Sequence, residues 1–162
     1  MSGAHVLPDL LRPGLRLVIC GSAAGAVSAA CGAYYAGPGN KFWDILHRTG
    51  LTPRRFEPRD YAALLDHGIG LTDLCKTAFG ADADLPRDAY DIPGLRARLA
   101  RVAPGLLAFN GKAAAARYLR ARAPRFGLWD GTPPVMVLPS TSGLACRSWD
   151  PAPWHDLARL AA

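Results

Sequence analysis

Two short stretches carry residue types from which a ligand site could be built. GSAAG, Gly21 to Gly25, follows the apolar run LRLVIC. A glycine-rich turn at the end of a strand lets a ligand approach the backbone and offers it N–H groups. This turn matches neither the GxGxxG fingerprint nor GxxxxGK[ST], and Ser22 is its single polar side chain. It reads equally as a plain strand-to-loop turn. The second stretch, YYAGPGNKFWDIL, places Tyr34 and Tyr35 before a tight Pro-Gly turn and a helix start at Asn40. A tyrosine held by such a turn can stack on a planar base, a contact worth roughly 1–3 kcal/mol. Simple packing is the alternative use of both rings.

The elements that must position these stretches are legible from periodicity. Four short β-type runs are read at 15–20, 69–74, 106–110 and 135–139, each ending in a turn-forming or polar residue. Asn40 caps a helix over 41–49 whose Phe42, Ile45, Leu46 and Thr49 share one face, with Gly50 as the stop. Further helices are read over 59–66, 94–102 and 112–121, and a last one starts near Pro153. Strand and helix in alternation predict one α/β domain over 1–162, a three-layer α/β/α arrangement around a central four-stranded parallel sheet. Ligands of such folds sit beyond the carboxyl ends of the strands. That rule brings four segments to one rim: GSAAG, the TDLCK stretch around Asp73, FNGK and the PSTSGLACR loop.

Composition narrows the partner. Half of the 162 residues are hydrophobic and 20% are charged, which suits a single substantial core. The formal net charge of +6, carried mostly by arginine, favours a polyanion, since guanidinium groups contact phosphates bidentately. A merely solubilising surface is the alternative. Cys20, Cys31, Cys75 and Cys146 form no CxxC pair and suggest reduced, partly buried thiols rather than a zinc site or a disulfide framework. No apolar run reaches the roughly 18–20 residues of a membrane span. The opening MSGAHVLPDLLRPG lacks the charged-then-apolar order of a secretory signal, so a cytosolic, membrane-free protein is expected.

GSAAG after the first strand, YAGPGNKFW, GIGLTDL, LAFNGKAA and VLPSTSGLACR occur in an order and spacing that resembles the mismatch-specific uracil/thymine DNA glycosylase family of the uracil-DNA glycosylase superfamily, over residues 11–147. The resemblance implies a monomeric enzyme that needs no metal or organic cofactor. Such an enzyme flips uracil out of DNA, with mispaired or double-stranded DNA as substrate, and hydrolyses the N-glycosidic bond to leave an abasic site. It implies that Gly21, Ser22, Ala23 and Gly25 approach the base, that Tyr35 stacks on it, and that Asn40 supports the pocket loop, a role compatible with capping a helix. In the last loop it implies that Ser140 borders the base and that Thr141, Ser142 and Gly143 pinch phosphates, with backbone N–H groups at 140–142 able to hold one. Leu144 resembles a wedge pushed into the stack, and Arg147 is placed for phosphate or the opposite base.

The chain departs from this family at one decisive position. Relatives carry an asparagine that orients the attacking water where this sequence has Ala23. Asp73 is the candidate to replace it, since a carboxylate can stabilise an oxocarbenium-like sugar and accept a proton from water. Its alternatives are a cap for the following turn or a salt bridge to Lys76. Ser22 and Thr72 are further hydrogen-bonding candidates for base or water. Asn110 and Lys112 are read as braces of the rim. The final rim loop contains no histidine, and His47, His67 and His155 are read near helix ends, so stabilisation of the leaving base by histidine is not expected. Two rivals remain in other classes: a damage-binding sensor without activity, which Ala23 favours, and a small nucleotide-binding α/β protein.

Overall fold

The computed structural model describes residues 4–162, so the first three residues of the stretch examined for a targeting signal lie outside it. Five strands form one sheet in the order β2-β1-β3-β5-β4: β1 Leu17–Gly21, β2 Ile69–Asp73, β3 Leu107–Asn110, β4 Gly127–Trp129 and β5 Val135–Leu138. The four strands expected from sequence are present and mutually parallel. The correction is β4, which adds an antiparallel edge beside β5. It is short and half-exposed, so it lacks the continuous apolar run that marks a strand buried on both faces.

Side chains that alternate along each strand divide the core into two layers. Leu17, Ile19, Ile69, Leu71, Met136 and Leu138 face one way, against α2 (Phe42–Arg48), α5 (Ala152–Leu160) and a 3-10 helix over Pro58–His67. Val18, Cys20, Leu107, Phe109, Val135 and Val137 face the other way, against α3 (Ile92–Val102) and α4 (Lys112–Leu119). Helices on both faces give the three-layer α/β/α class expected from the strand and helix alternation. A short α1, Ala26–Cys31, follows the first loop. The free edge of β2 is covered by an antiparallel bridge from Leu10 to Leu71. Among the described residues no helix is long and apolar enough to cross a membrane.

Two local expectations shift. The helix after Asn40 begins at Phe42, with Lys41 in the cap position; Asn40 Oδ1 instead accepts a bond from the Phe42 N–H at 3.0 Å, an Asx-type turn. The segment read as a helix over 59–66 winds as a 3-10 helix, opened by a reciprocal capping box between Glu57 and Asp60 and closed by Gly68 in a left-handed conformation.

Candidate active site

Strand order reverses at β1, whose neighbours β2 and β3 leave it in opposite directions, and a cavity of about 780 Å3 opens there beyond the carboxyl ends of the parallel strands. All four segments expected at the rim line it: Gly21 to Gly25, Asp73, Asn110 to Lys112, and the loop from Ser140. Tyr35 and Asn40 close a further side. Two loops are joined directly, because Lys41 N–H donates to the Thr141 carbonyl at 2.9 Å and Gly143 packs on the Pro38-Gly39 turn.

Asp73 ends β2 in register with Gly21 of β1. A β-carbon on Gly21 would stand 2.7 Å from Asp73 Oδ1 and 3.1 Å from Tyr35 Oη, so carboxylate, phenol and bare backbone converge on one point. Both structural alternatives for Asp73 fail. Lys76 pairs with Asp9 at 2.8 Å instead, and the N–H groups that follow Asp73 are taken by backbone carbonyls of the first loop, Leu74 by Gly21 and Cys75 by Ser22. Only 3% of Asp73 is exposed. Burial pushes its pKa up from the ordinary carboxylate value to about 6; Lys76 and Arg98 pull it down and Asp9 pushes it up. A carboxyl group poised near neutrality at a cavity floor is suited to proton transfer.

The ring of Tyr35 stacks on Phe42, centroids 3.9 Å apart and planes 23° off parallel. Its backbone is left-handed, with φ of 53°. Its hydroxyl is buried without a hydrogen-bond partner, and burial, reinforced by the Asp73 charge, raises its pKa well above the ordinary value. It therefore stays protonated and keeps a free donor beside the carboxylate. Asn110 lies near this hydroxyl, but its amide is committed to Thr141: Oδ1 accepts from Thr141 N–H at 3.0 Å and Nδ2 donates to Thr141 Oγ1 at 2.9 Å. Tyr34 is core, only 1% exposed.

Three expected contacts are corrected by this geometry. Thr72 points to the opposite face of β2 from Asp73, is fully buried and donates to Asp9 Oδ1 at 2.7 Å, so it is outside the cavity. Thr141 is buried and doubly bonded to Asn110, so it braces the loop rather than meeting DNA. The proposed amide cradle at 140–142 is largely closed, because Thr141 N–H is bound by Asn110 and Ser142 N–H by Ser140 Oγ. That same chain of bonds continues to Leu144, whose N–H donates to Ser142 Oγ at 3.2 Å. It presents a leucine that is 86% exposed, at the head of a 3-10 turn over Gly143–Ser148 that also carries exposed Arg147.

Ser22 and Ala23 line the cavity half-buried, and Gly25 lines it exposed. Ala23 brings no polar group. Among the described residues no histidine lines the cavity; His47 and His155 are exposed on helices and His67 ends the 3-10 helix. Cys20 and Cys75 are buried, Cys31 and Cys146 exposed. Sequence reading missed the charged group behind Asp73: Asp9 receives Lys76, Arg98 at 3.4 Å and Thr72, while Arg98 also donates to the Asp73 carbonyl at 3.0 Å. Lys76 in turn donates to Tyr34 Oη. Nothing local marks these partners, because they come from four separate segments.

The family model of the uracil DNA glycosylase superfamily matches residues 8–161. Among solved structures, the fold is similar to the solution NMR structure of a protein from Methanosarcina acetivorans described as a putative uracil DNA glycosylase. The two share 23% identity over 96% of each chain, with a TM-score of 0.65.

Proposed function

We propose, for a chain that belongs to the uracil DNA glycosylase superfamily, a hydrolase that excises uracil from DNA with Asp73 in place of the missing water-orienting asparagine. The observation that carries this reading is the meeting of the Asp73 carboxylate, the Gly21 backbone and the Tyr35 hydroxyl at the cavity floor. A flipped nucleotide would lay its base on the Tyr35 ring, backed by Phe42, and bring its sugar towards the cavity floor where Asp73 and the Tyr35 hydroxyl meet over Gly21. As the glycosidic C–N bond breaks, its electron pair leaves with the base and positive charge grows on the sugar. The ionised Asp73 stabilises that charge and takes a proton from the water whose oxygen bonds to C1′. Absence of a side-chain amide at Ala23 leaves room for bulkier deaminated bases, hypoxanthine and xanthine.

The test is release of uracil from a duplex with one G·U pair, scored as an alkali-labile strand, with inosine and xanthosine duplexes beside it. Scission of the uracil strand supports the reading; binding without scission supports the sensor that Ala23 alone would suggest. Leu144→Ala separates the wedge from the pocket. An exposed apolar side chain that fills the gap left by a flipped base matters only in a stacked duplex, so this variant should lose about tenfold on duplex and nothing on single-stranded uracil DNA. Equal loss on both would remove the wedge role.

A further inference from the structure

We propose that the outer face of α3 and α4 is a second DNA surface, which holds the phosphate backbone of duplex lying outside the cavity. It rests on DNA as the partner and not on the chemistry at Asp73. Residues 92–129 contain eight Lys and Arg and no Asp or Glu, while the rest of the chain has eleven basic residues against thirteen acidic ones. The whole positive excess therefore sits on the segment that builds α3, β3, α4 and β4. All of its basic residues except Arg98 are exposed. Among the described residues none of these exposed cations forms an ion pair.

Aromatic rings hold four of them in place. Arg117 lies 3.8 Å from the Tyr90 ring, Arg96 4.6 Å from Tyr118, Lys112 4.3 Å from Phe126 and Arg125 4.8 Å from Trp129. Guanidinium groups stacked in this way keep N–H edges available for phosphate while losing less side-chain freedom on binding, although Arg125 spends one N–H on the Leu128 carbonyl at 3.0 Å. Lys112 both lines the cavity and starts α4, so the basic surface is continuous with the site. The segment that leads into α3 borders this face and is acidic: Asp82 and Asp84 line the cavity, Asp88 and Asp91 flank the Tyr90 that holds Arg117, and Asp91 caps α3. Phosphates repelled there are directed across α4 and the β4 edge.

The side chains of Arg120 and Arg122 form no hydrogen bond, ion pair or ring contact among the described residues, and the C-cap bond from Arg120 N–H to the Ala116 carbonyl is backbone, so a change to glutamine leaves the fold intact. Binding of undamaged duplexes of about 12 and about 30 base pairs, at 3.4 Å rise per pair, is measured by fluorescence anisotropy across a salt series for the parent and for Arg120→Gln/Arg122→Gln. On the longer duplex the variant should bind roughly tenfold more weakly, with a log affinity against log salt slope shallower by about 2. On the shorter duplex, and in single-turnover cleavage at saturating DNA, it should match the parent. Unchanged binding of the longer duplex, or equal loss on both lengths, would overturn this surface while leaving the excision reading intact. A parent that binds neither duplex would overturn DNA as the partner and this proposal together, whereas a parent that binds but does not excise affects the chemistry alone.

Discussion

Asparagine in place of Asp73 is expected to slow single-turnover uracil excision by roughly 10^3-fold, the range for loss of a general base and an electrostatic stabiliser, and to make the folded protein more stable at pH 8. Both effects have one cause. The carboxylate is buried on a cavity floor, with its neighbouring cations turned to Asp9 and to the Asp73 carbonyl rather than to its oxygens. Its folded pKa of about 6 lies above the ordinary carboxylate value, so the folded state holds this proton more tightly than the unfolded chain does. The resulting stabilisation is complete only below the ordinary carboxylate value and is lost progressively as pH rises from there through about 6. Above that point the ionised group is a burden worth up to about 3 kcal/mol, taking about 1.4 kcal/mol for each pH unit between the two states. The uncharged amide removes it. Thermal unfolding of parent and Asp73→Asn at pH 8, pH 5 and pH 3.5 checks the linkage: the variant should gain most at pH 8, roughly half as much at pH 5 and little at pH 3.5. A variant less stable than the parent at pH 8 would mean that Lys76 and Arg98 bind the carboxylate more strongly than the geometry indicates.

The second large effect is expected from the smallest change, Gly21→Ala. Gly21 does not have the left-handed backbone that reserves a position for glycine, so the substitution carries no conformational penalty of that kind. What it disturbs is the meeting point. The new methyl group would stand 2.7 Å from Asp73 Oδ1, closer than carbon and oxygen tolerate, and 3.1 Å from the Tyr35 hydroxyl. Asp73 is confined by the core and Tyr35 by its stack on Phe42, so the carboxylate must swing from its position or the sugar must stand off. Misplacement of a reacting group by about 1 Å costs on the order of 10^2-fold in rate. Single-turnover excision should fall by that amount, while affinity for an undamaged duplex stays at the parent level. A parental rate would show that nothing needs to approach the Gly21 backbone.

Much of this arrangement could be read from the chain because it is built from strong local signals. Continuous apolar runs betray strands buried on both faces, and the rule that ligands gather at carboxyl ends then brings Asp73, GSAAG, Asn110 and residues 140–145 together. β4 escaped because three half-exposed residues at a sheet edge carry no periodicity, and α1 escaped because AVSAAC lacks a side-chain cap. Thr72 was legible and misread: side chains alternate along a strand, so a residue beside Asp73 cannot share its face. Thr141 looked like one more polar loop residue, and only its two bonds to Asn110 reveal a brace. The Asp9, Lys76 and Arg98 group was beyond sequence reasoning, since its members meet only when the N-terminal segment crosses β2 and α3 packs beside it.

The departure at Ala23 makes one measurement decisive: the single-turnover rate of uracil release from a G·U duplex between pH 4.5 and 8.5, for the parent and for Asp73→Asn. If Asp73 acts as a carboxylate, the parent rate rises tenfold per pH unit until a break at about 6 or somewhat higher, since bound DNA adds negative charge nearby, and then levels off. The variant should be slow and flat throughout. A variant with the parent's rate and profile would contradict the account and place the chemistry elsewhere in the cavity.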